Sequence, residues 1–331
     1  MDKTKRSSFF HAIDKNTLWL LFLLVGLVAL MGFVAPRRFF SIANIRSMGF
    51  QFPEFGIMSL GMMLCMLAGG IDLSIVGAAN LSGIVAAVFM HAMGVDSQLG
   101  IAGGICLALL VGIGCGALNG ALIGGLRVPA MLVTLCTLQI YRGLGVVITK
   151  GPAIAGLSNA YQVVGNGLVG GAIPISTIIF IIAMIGLWLL LKYSVYGQQL
   201  YLLGSNPTAS AYSGVNNFRV ILKTYVLSGL LAAVAGVIMS SRYGSAKSDY
   251  GIAYTLQTLL ICILGGISPS GGKGKMAGVV ISIFVLQVIS SAFSILRVDS
   301  FLRTFVFGLI LLVIMIMQHG IGARNIKLRN R

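Results

Sequence analysis

Acidic side chains are nearly missing from this chain: seven Asp and Glu stand against 23 Lys and Arg in 331 residues. Charged residues of both signs make up only 9%, against roughly a quarter in soluble proteins, while 57% are hydrophobic. A water-soluble core of this composition is excluded. Short segments of alternating apolar and polar residues are also missing, which excludes a transmembrane barrel. The three histidines, His11, His91 and His319, are not placed to share a site, so no catalytic centre is expected. The five cysteines, Cys65, Cys106, Cys115, Cys136 and Cys262, fall singly in apolar segments without ligand spacing. Neither a metal site nor a disulfide framework follows from them. No phosphate-cradling GxxxxGK[ST] is found: "GGKGK" at 271–275 has the wrong spacing and no Ser or Thr after its lysines. The chain is not expected to bind ATP, to need a cofactor or to act as an enzyme.

What remains is long apolar runs. A helix needs about 20 residues to cross a bilayer, and "TLWLLFLLVGLVALMGFVA" from Thr17 is such a run. The pattern predicts an all-α polytopic membrane protein of about ten spanning or half-spanning segments, near 17–35, 53–69, 74–94, 98–126, 129–148, 171–192, 220–241, 252–267, 273–296 and 300–317. Residues 1–16 and 319–331 read as cytoplasmic tails, and 193–219 as a cytoplasmic loop within the 17–318 transmembrane domain. The first run is preceded by Lys3, Lys5, Arg6 and Lys15 and followed by "PRRFF", so it reads as a retained helix, not a cleaved signal. The basic tails and the basic residues around 193–219 place both termini on the cytoplasmic side. Arg37, Arg38 and Arg46 in the first external loop run against that bias, and lipid headgroups or a partner could take them up. The net charge of +16 is mainly an orientation device, and nucleic acid is not needed to explain it.

Glycine is abundant, with 44 residues often spaced as in "GIGCGALNGALIGG". Small residues let helices approach closely in lipid, where packing must supply the affinity. The pairs Gly69–Gly70 and Gly265–Gly266 are each followed by a polar stretch, "IDLS" and "ISPSGGKGK". They suggest broken helices whose freed backbone lines water or a pathway. Gly69, Gly70, Ile71 and Ser74 align with Gly265, Gly266, Ile267 and Ser270, which hints at a duplication; five segments per half would make it an inverted 5+5 repeat. Asp72, between these glycines and Ser74, is expensive in hydrocarbon. It reads as the cap of the segment that follows, with a direct ligand contact as the competing role. Asp72 is read as the one intramembrane group able to act as a base. Ser74, Asn80, Asn119 and Gln139 are candidate polar groups for passage. Gln139 and Arg142 share a helix face, where a snorkelling or loop-anchoring arginine is the simpler reading.

Residues 193–217, "YSVYGQQLYLLGSNPTASAYSGVNN", form the longest polar stretch. Asn206–Pro207 reads as the opening of a short helix and Gly214 as its close. Such a helix suits docking into a partner's groove, with an ordinary solvated loop as the alternative.

In order and separation, "LAGGIDLSIVG", "ALNGALIG", "YLLGSNPTASAYSGVNNFRVILKTYVLSGLLAAVAGVIMSSRYGSA" and "LGGISPSGGKGKMAG" resemble the permease subunits of bacterial ATP-binding-cassette importers for simple sugars. These are the ribose, xylose, rhamnose and autoinducer-2 type, and the resemblance runs from about Asn44 to Met317. It implies a pore-forming inner-membrane subunit that pairs with a second permease, identical or homologous. A cytoplasmic ATPase would drive it, and an external sugar-binding protein would feed it. It also implies an ATPase-coupling helix at Gly204, Asn206, Pro207, Ala209, Ala211, Ser213, Gly214 and Val215. By the same resemblance Gly69, Gly70, Asp72, Ser74 and Asn119, with the second pair Gly265 and Gly266, lie by the translocation pathway. Residues 253–257 lack the two acids that many members carry there, so the sugar is left open. An ion-driven secondary transporter of a small polar solute is the alternative; it would not need the docking helix.

Overall fold

The computed structural model describes residues 15–299, 301–313 and 316. The chain enters as α1 (Lys15–Val34) and turns through the short α2 (Pro36–Phe39) into α3 (Ile42–Leu67). It continues through α4 (Ile75–Met93), α5 (Gln98–Gly125) and α6 (Ala130–Thr149). After α7 (Asn159–Asn166) come α8 (Ile175–Tyr193), α9 (Val195–Ser205), α10 (Pro207–Tyr212) and α11 (Asn217–Tyr243). The last helices are α12 (Tyr254–Leu264), α13 (Met276–Ile295) and α14 (Phe301–Val313). Two-residue strands β1 (Ile154–Ala155) and β4 (Ser245–Ala246) pair antiparallel, as do β2 (Leu168–Val169) and β3 (Ile173–Pro174). Among the described residues eight helices are long and apolar enough to cross a membrane, and α12 and α14 are shorter apolar helices. The all-α polytopic expectation is met. His11, His319 and both expected tails, apart from residues 15 and 16, lie outside the described residues.

Sequence reading starts the second span at residue 53, yet α3 begins at Ile42, with Ser41 as its cap and Pro53 inside it. A proline in a helix deprives the carbonyl four residues back of its N–H partner. That carbonyl is Gly49 O, and Thr177 Oγ1 of α8 donates to it at 2.7 Å. A neighbouring helix therefore replaces the missing bond, and the helix runs through a residue that usually ends one.

The centre of the bundle is α11, packed against α3, α4 and α5. A Cβ on Gly112 of α5 would collide with the carbonyl of Gly229, and one on Gly229 with that of Gly112. These helices touch backbone to backbone, and glycine is required on both sides. Glu54 of α3 meets Arg242 of α11 while Gly61 meets Ser228, so α3 and α11 run antiparallel. Glu54 also meets Tyr254, and Cys262 bonds to Ser59, so α12 runs parallel to α3.

This geometry revises the reading of the glycine pairs. Gly69 and Gly266 both adopt left-handed backbone, φ +87° and +82°. The amide of Gly70 bonds back to Cys65 O, and that of Ile267 to Cys262 O. Each is a glycine-terminated helix end of the same kind. The structural equivalents are thus Gly69 and Gly266, one residue away from the register that the shared Gly-Gly-Ile suggests. Neither pair interrupts a single helix; each ends one helix and starts the turn into the next. Because α3 and α12 are parallel, an inverted repeat cannot rest on this pair.

Candidate functional site

Three glycine segments that are distant in sequence close on one another at one end of the bundle. The amide of Gly272, in the loop after α12, donates to Leu67 O at the end of α3 at 3.0 Å. Gly204, at the end of α9, is packed so closely that a Cβ would overlap Leu67 O and the Gly272 amide. A Cβ on Gly271 would lie 2.8 Å from Gly204 O and from the backbone of Gly69. Tyr201 of α9 donates its hydroxyl to Gly274 O at 3.1 Å. Burial raises the Tyr201 pKa, which keeps the phenol a neutral donor. The structure thus joins the end of α9, by backbone contact and the Tyr201 hydroxyl, to the Gly69 turn and to the 271–274 loop that follows α12.

The short helix read from the sequence is α10. Asn206 accepts from the amides of Thr208 and Ala209 at 3.0 Å each, Pro207 opens the helix, and Gly214 follows it at φ +79°. Asn217, in the first turn of α11, donates to Pro207 O and accepts from the buried Ser210 hydroxyl. The turn is therefore held from below as well as capped. Thr208, Ala209, Ala211, Tyr212, Ser213 and Gly214 face outward, and Tyr212 is 90% exposed. Val215 is half-buried.

Above the Gly69 turn the chain folds back, and Asp72 is 2% exposed. Its Oδ1 accepts from the Ser74 amide at 3.1 Å and the Ser74 hydroxyl at 2.6 Å, and its Oδ2 from Ser228 Oγ of α11 at 2.8 Å. Asn119 of α5 donates to Ser74 Oγ at 2.8 Å, and Tyr141 of α6 to Asn119 Oδ1 at 3.3 Å. One carboxylate at the start of α4 thereby gathers α5, α6 and α11. Asn80 lies elsewhere, donating to Ser248 O and Tyr250 O.

Asp72 is not the only buried carboxylate. Glu54, fully buried, pairs with Arg242 at 2.7 Å and accepts from Tyr254 at 2.9 Å and Tyr243 at 3.2 Å. Sequence reading passes over it because Pro53 and the polar residues before it make position 54 look like the margin of a span. The signal was available, since Glu54 opens a segment taken as membrane-spanning.

A cavity of about 900 Å³ lies between the Gly69 turn and α10. Its walls include Gly69, Gly70, Arg127 and Ala130 on one side and Pro207, Ala211, Asn216 and Phe218 on the other. Tyr225 also lines it; the residue is 1% exposed, and its hydroxyl has no hydrogen-bond partner among the described residues. A Cβ on Gly70 would crowd that hydroxyl and the Ala130 methyl, and glycine leaves them room. Gly265 and Gly266 do not line this cavity. Gly265 packs on the backbone of Val279 in α13, and Gly266 faces Asn16 of α1. Tyr225 and Tyr201 are site residues that no motif marks, because each reads as helix filler until its hydroxyl is placed.

The family model for the permease component of the branched-chain amino acid transport system matches residues 44–315. The ribose import permease protein RbsC of Bacillus subtilis is 34% identical over 300 residues, 90% of each chain. The D-allose transport system permease protein AlsC of Escherichia coli is 31% identical, covering 93% of each. The autoinducer 2 import system permease protein LsrC of Yersinia enterocolitica is 29% identical, over 89% of this chain and 80% of its own length. No solved structure matches the chain.

Proposed function

The chain belongs to the family of branched-chain amino acid transport system permease components, and from that premise we propose that this member passes a simple sugar or sugar-like molecule across the inner membrane. As such a permease it is a multi-pass membrane subunit and no enzyme; ATP hydrolysis sits in a separate subunit, and a substrate-binding protein completes the importer. The named relatives, which import ribose, allose and autoinducer 2, support the substrate class. So does the cavity wall, which offers a phenol, backbone and amides to neutral hydroxyls. The ion-driven alternative is not favoured by these relatives.

The observation on which the reading rests is the junction of Gly204, Leu67 and Gly272. In it α10 is the helix that seats on the ATPase, and α9 transmits the ATPase's movement to the Gly69 turn and the 271–274 loop. The turn at Gly69–Gly70 then opens or closes the cavity beneath Tyr225. Asp72, Ser74 and Asn119 hold the base of α4 so that only the turn moves. With α10 on the cytoplasmic side, both termini are cytoplasmic.

A second permease, identical or homologous, covers the outer face of α6. Gln139 and Arg142 are exposed on that face, near the middle of a 20-residue span. A charge facing hydrocarbon at that depth is costly, and a partner chain enclosing a polar path between the two permeases removes the cost. Reconstitution with the ATPase and the binding protein tests the whole. Uptake of labelled ribose, allose or autoinducer 2 that needs ATP and the binding protein supports the reading; uptake of a branched-chain amino acid instead refutes the substrate class.

A further inference from the structure

A second cavity, of about 430 Å³, lies at the opposite end of the bundle from α10. It is framed by α2, α3, β3 and α13 and walled by Phe39, Phe52, Phe284 and Val288. Two features distinguish it from an apolar crevice. Gln287 of α13 lines it and is 1% exposed, yet both polar atoms of its amide lack a hydrogen-bond partner among the described residues. One turn further along α13, Ser291 donates to Asn44 Oδ1 of α3 at 3.0 Å. A buried amide is normally satisfied, and Gln287 is one of the residues that wall the cavity.

Arg46, at the rim, supplies the second feature. It spends one donor on Gly171 O at 2.8 Å, is otherwise exposed, and forms no ion pair among the described residues. Arg37 and Arg38 stand exposed on the adjoining α2, and residues 35–51 contain no acid. The cavity thus offers a cationic rim, a buried amide that needs both a donor and an acceptor, and an aromatic floor. Alongside it, α1 leaves Phe33 89% exposed and Phe40 of the α2 turn is 54% exposed, as expected of a wall facing lipid.

We propose that this cavity binds an anionic glycerophospholipid from the bilayer. The headgroup phosphate lies against the free guanidinium donors of Arg46. The glycerol region reaches Gln287, whose Nε2 donates to an ester carbonyl and whose Oε1 accepts from a headgroup hydroxyl. The first methylenes of an acyl chain pack on Phe52 and Phe284. A bound lipid here wedges the α2 turn against α13, and it accounts for Arg46, one of three arginines that the positive-inside rule does not explain.

Native mass spectrometry of the full chain, released from nanodiscs of phosphatidylglycerol and phosphatidylcholine, tests this. The wild type retains phosphatidylglycerol at least fivefold over phosphatidylcholine. Arg46→Gln abolishes that preference, and Gln287→Leu, an apolar replacement that keeps the core filled, lowers retention of both lipids. Added phosphatidylglycerol raises the unfolding temperature of the wild type and not of Gln287→Leu, which separates lost binding from lost folding. Equal retention of the two lipids by the wild type, or retention unchanged in both variants, overturns the proposal and leaves only annular lipid.

Discussion

The amide of Gly272 and the carbonyl of Leu67, 205 positions apart, meet at 3.0 Å directly beside Gly204. The bond is a backbone one, and the contact that covers it admits no side chain. A displacement of α9 therefore has no slack to absorb it before it reaches the Gly69 turn and the loop after α12. Close-packed backbone of this kind transmits strain more readily than flexible side chains do.

The docking role of α10 predicts a selective loss. Replacing residues 206–214 with a Gly/Ser linker removes the Asn206 cap and the bonds to Asn217 while leaving the spans intact. Pull-down from mild detergent is expected to recover the ATPase with the wild type and not with the variant. Recovery with both forms would place the docking surface elsewhere.

At Asp72 the expected result is tolerance of the amide. Asn keeps one oxygen for the Ser74 amide and can donate to Ser228 Oγ, so Asp72→Asn should cost about 1 kcal/mol and retain most uptake. Asp72→Ala loses all three bonds and should cost about 2–3 kcal/mol, read as a lower unfolding temperature with impaired assembly. Full assembly with abolished uptake in Asp72→Asn would mean that the carboxylate meets the substrate.

Glu54 and Arg242 predict strong coupling. Removing one member of a buried ion pair leaves the other uncompensated, at about 3–5 kcal/mol. Arg242→Met alone should therefore be severe, whereas Glu54→Gln with Arg242→Met should cost less than Arg242→Met alone, because Gln can still bond to Tyr243 and Tyr254. A double-mutant cycle by denaturation in detergent measures this, and additive losses would show that the pair contributes no interaction.

The α6 face predicts a contact. A photo-cross-linking residue at position 139 should form an adduct with a permease chain, identified by its mass, while one at Trp19 on the exposed α1 should react with lipid alone. Lipid adducts at both positions would count against a partner on α6.

Span number and the short helix at Asn206–Pro207 were legible because each depends on local chemistry, apolar length and an Asn-Pro start; Asp72 accepts from the Ser74 amide two residues on, while the residue before α4 is Ser74 itself. The start of α3 was not legible, since Pro53 is rescued by Thr177, 124 positions away. The glycine turns were legible as turns, but their register was misread by one residue. What fixes it is the left-handed position at the helix end, and a shared Gly-Gly-Ile does not mark which glycine occupies it. The junction itself was hidden, because its bonds join backbone groups that carry no side-chain signature. The two motif sets read separately, pathway and coupling, turn out to be neighbours at Gly69 and Gly204.

The most direct test of that junction is the amount of sugar transported per ATP hydrolysed in proteoliposomes containing the complete importer, wild type against Gly204→Ala. The added methyl must displace Leu67 O or the Gly272 amide. The account predicts that the ATPase still co-purifies and hydrolyses ATP, while sugar moved per ATP falls at least tenfold. An unchanged ratio in a variant that folds and retains its ATPase would contradict it.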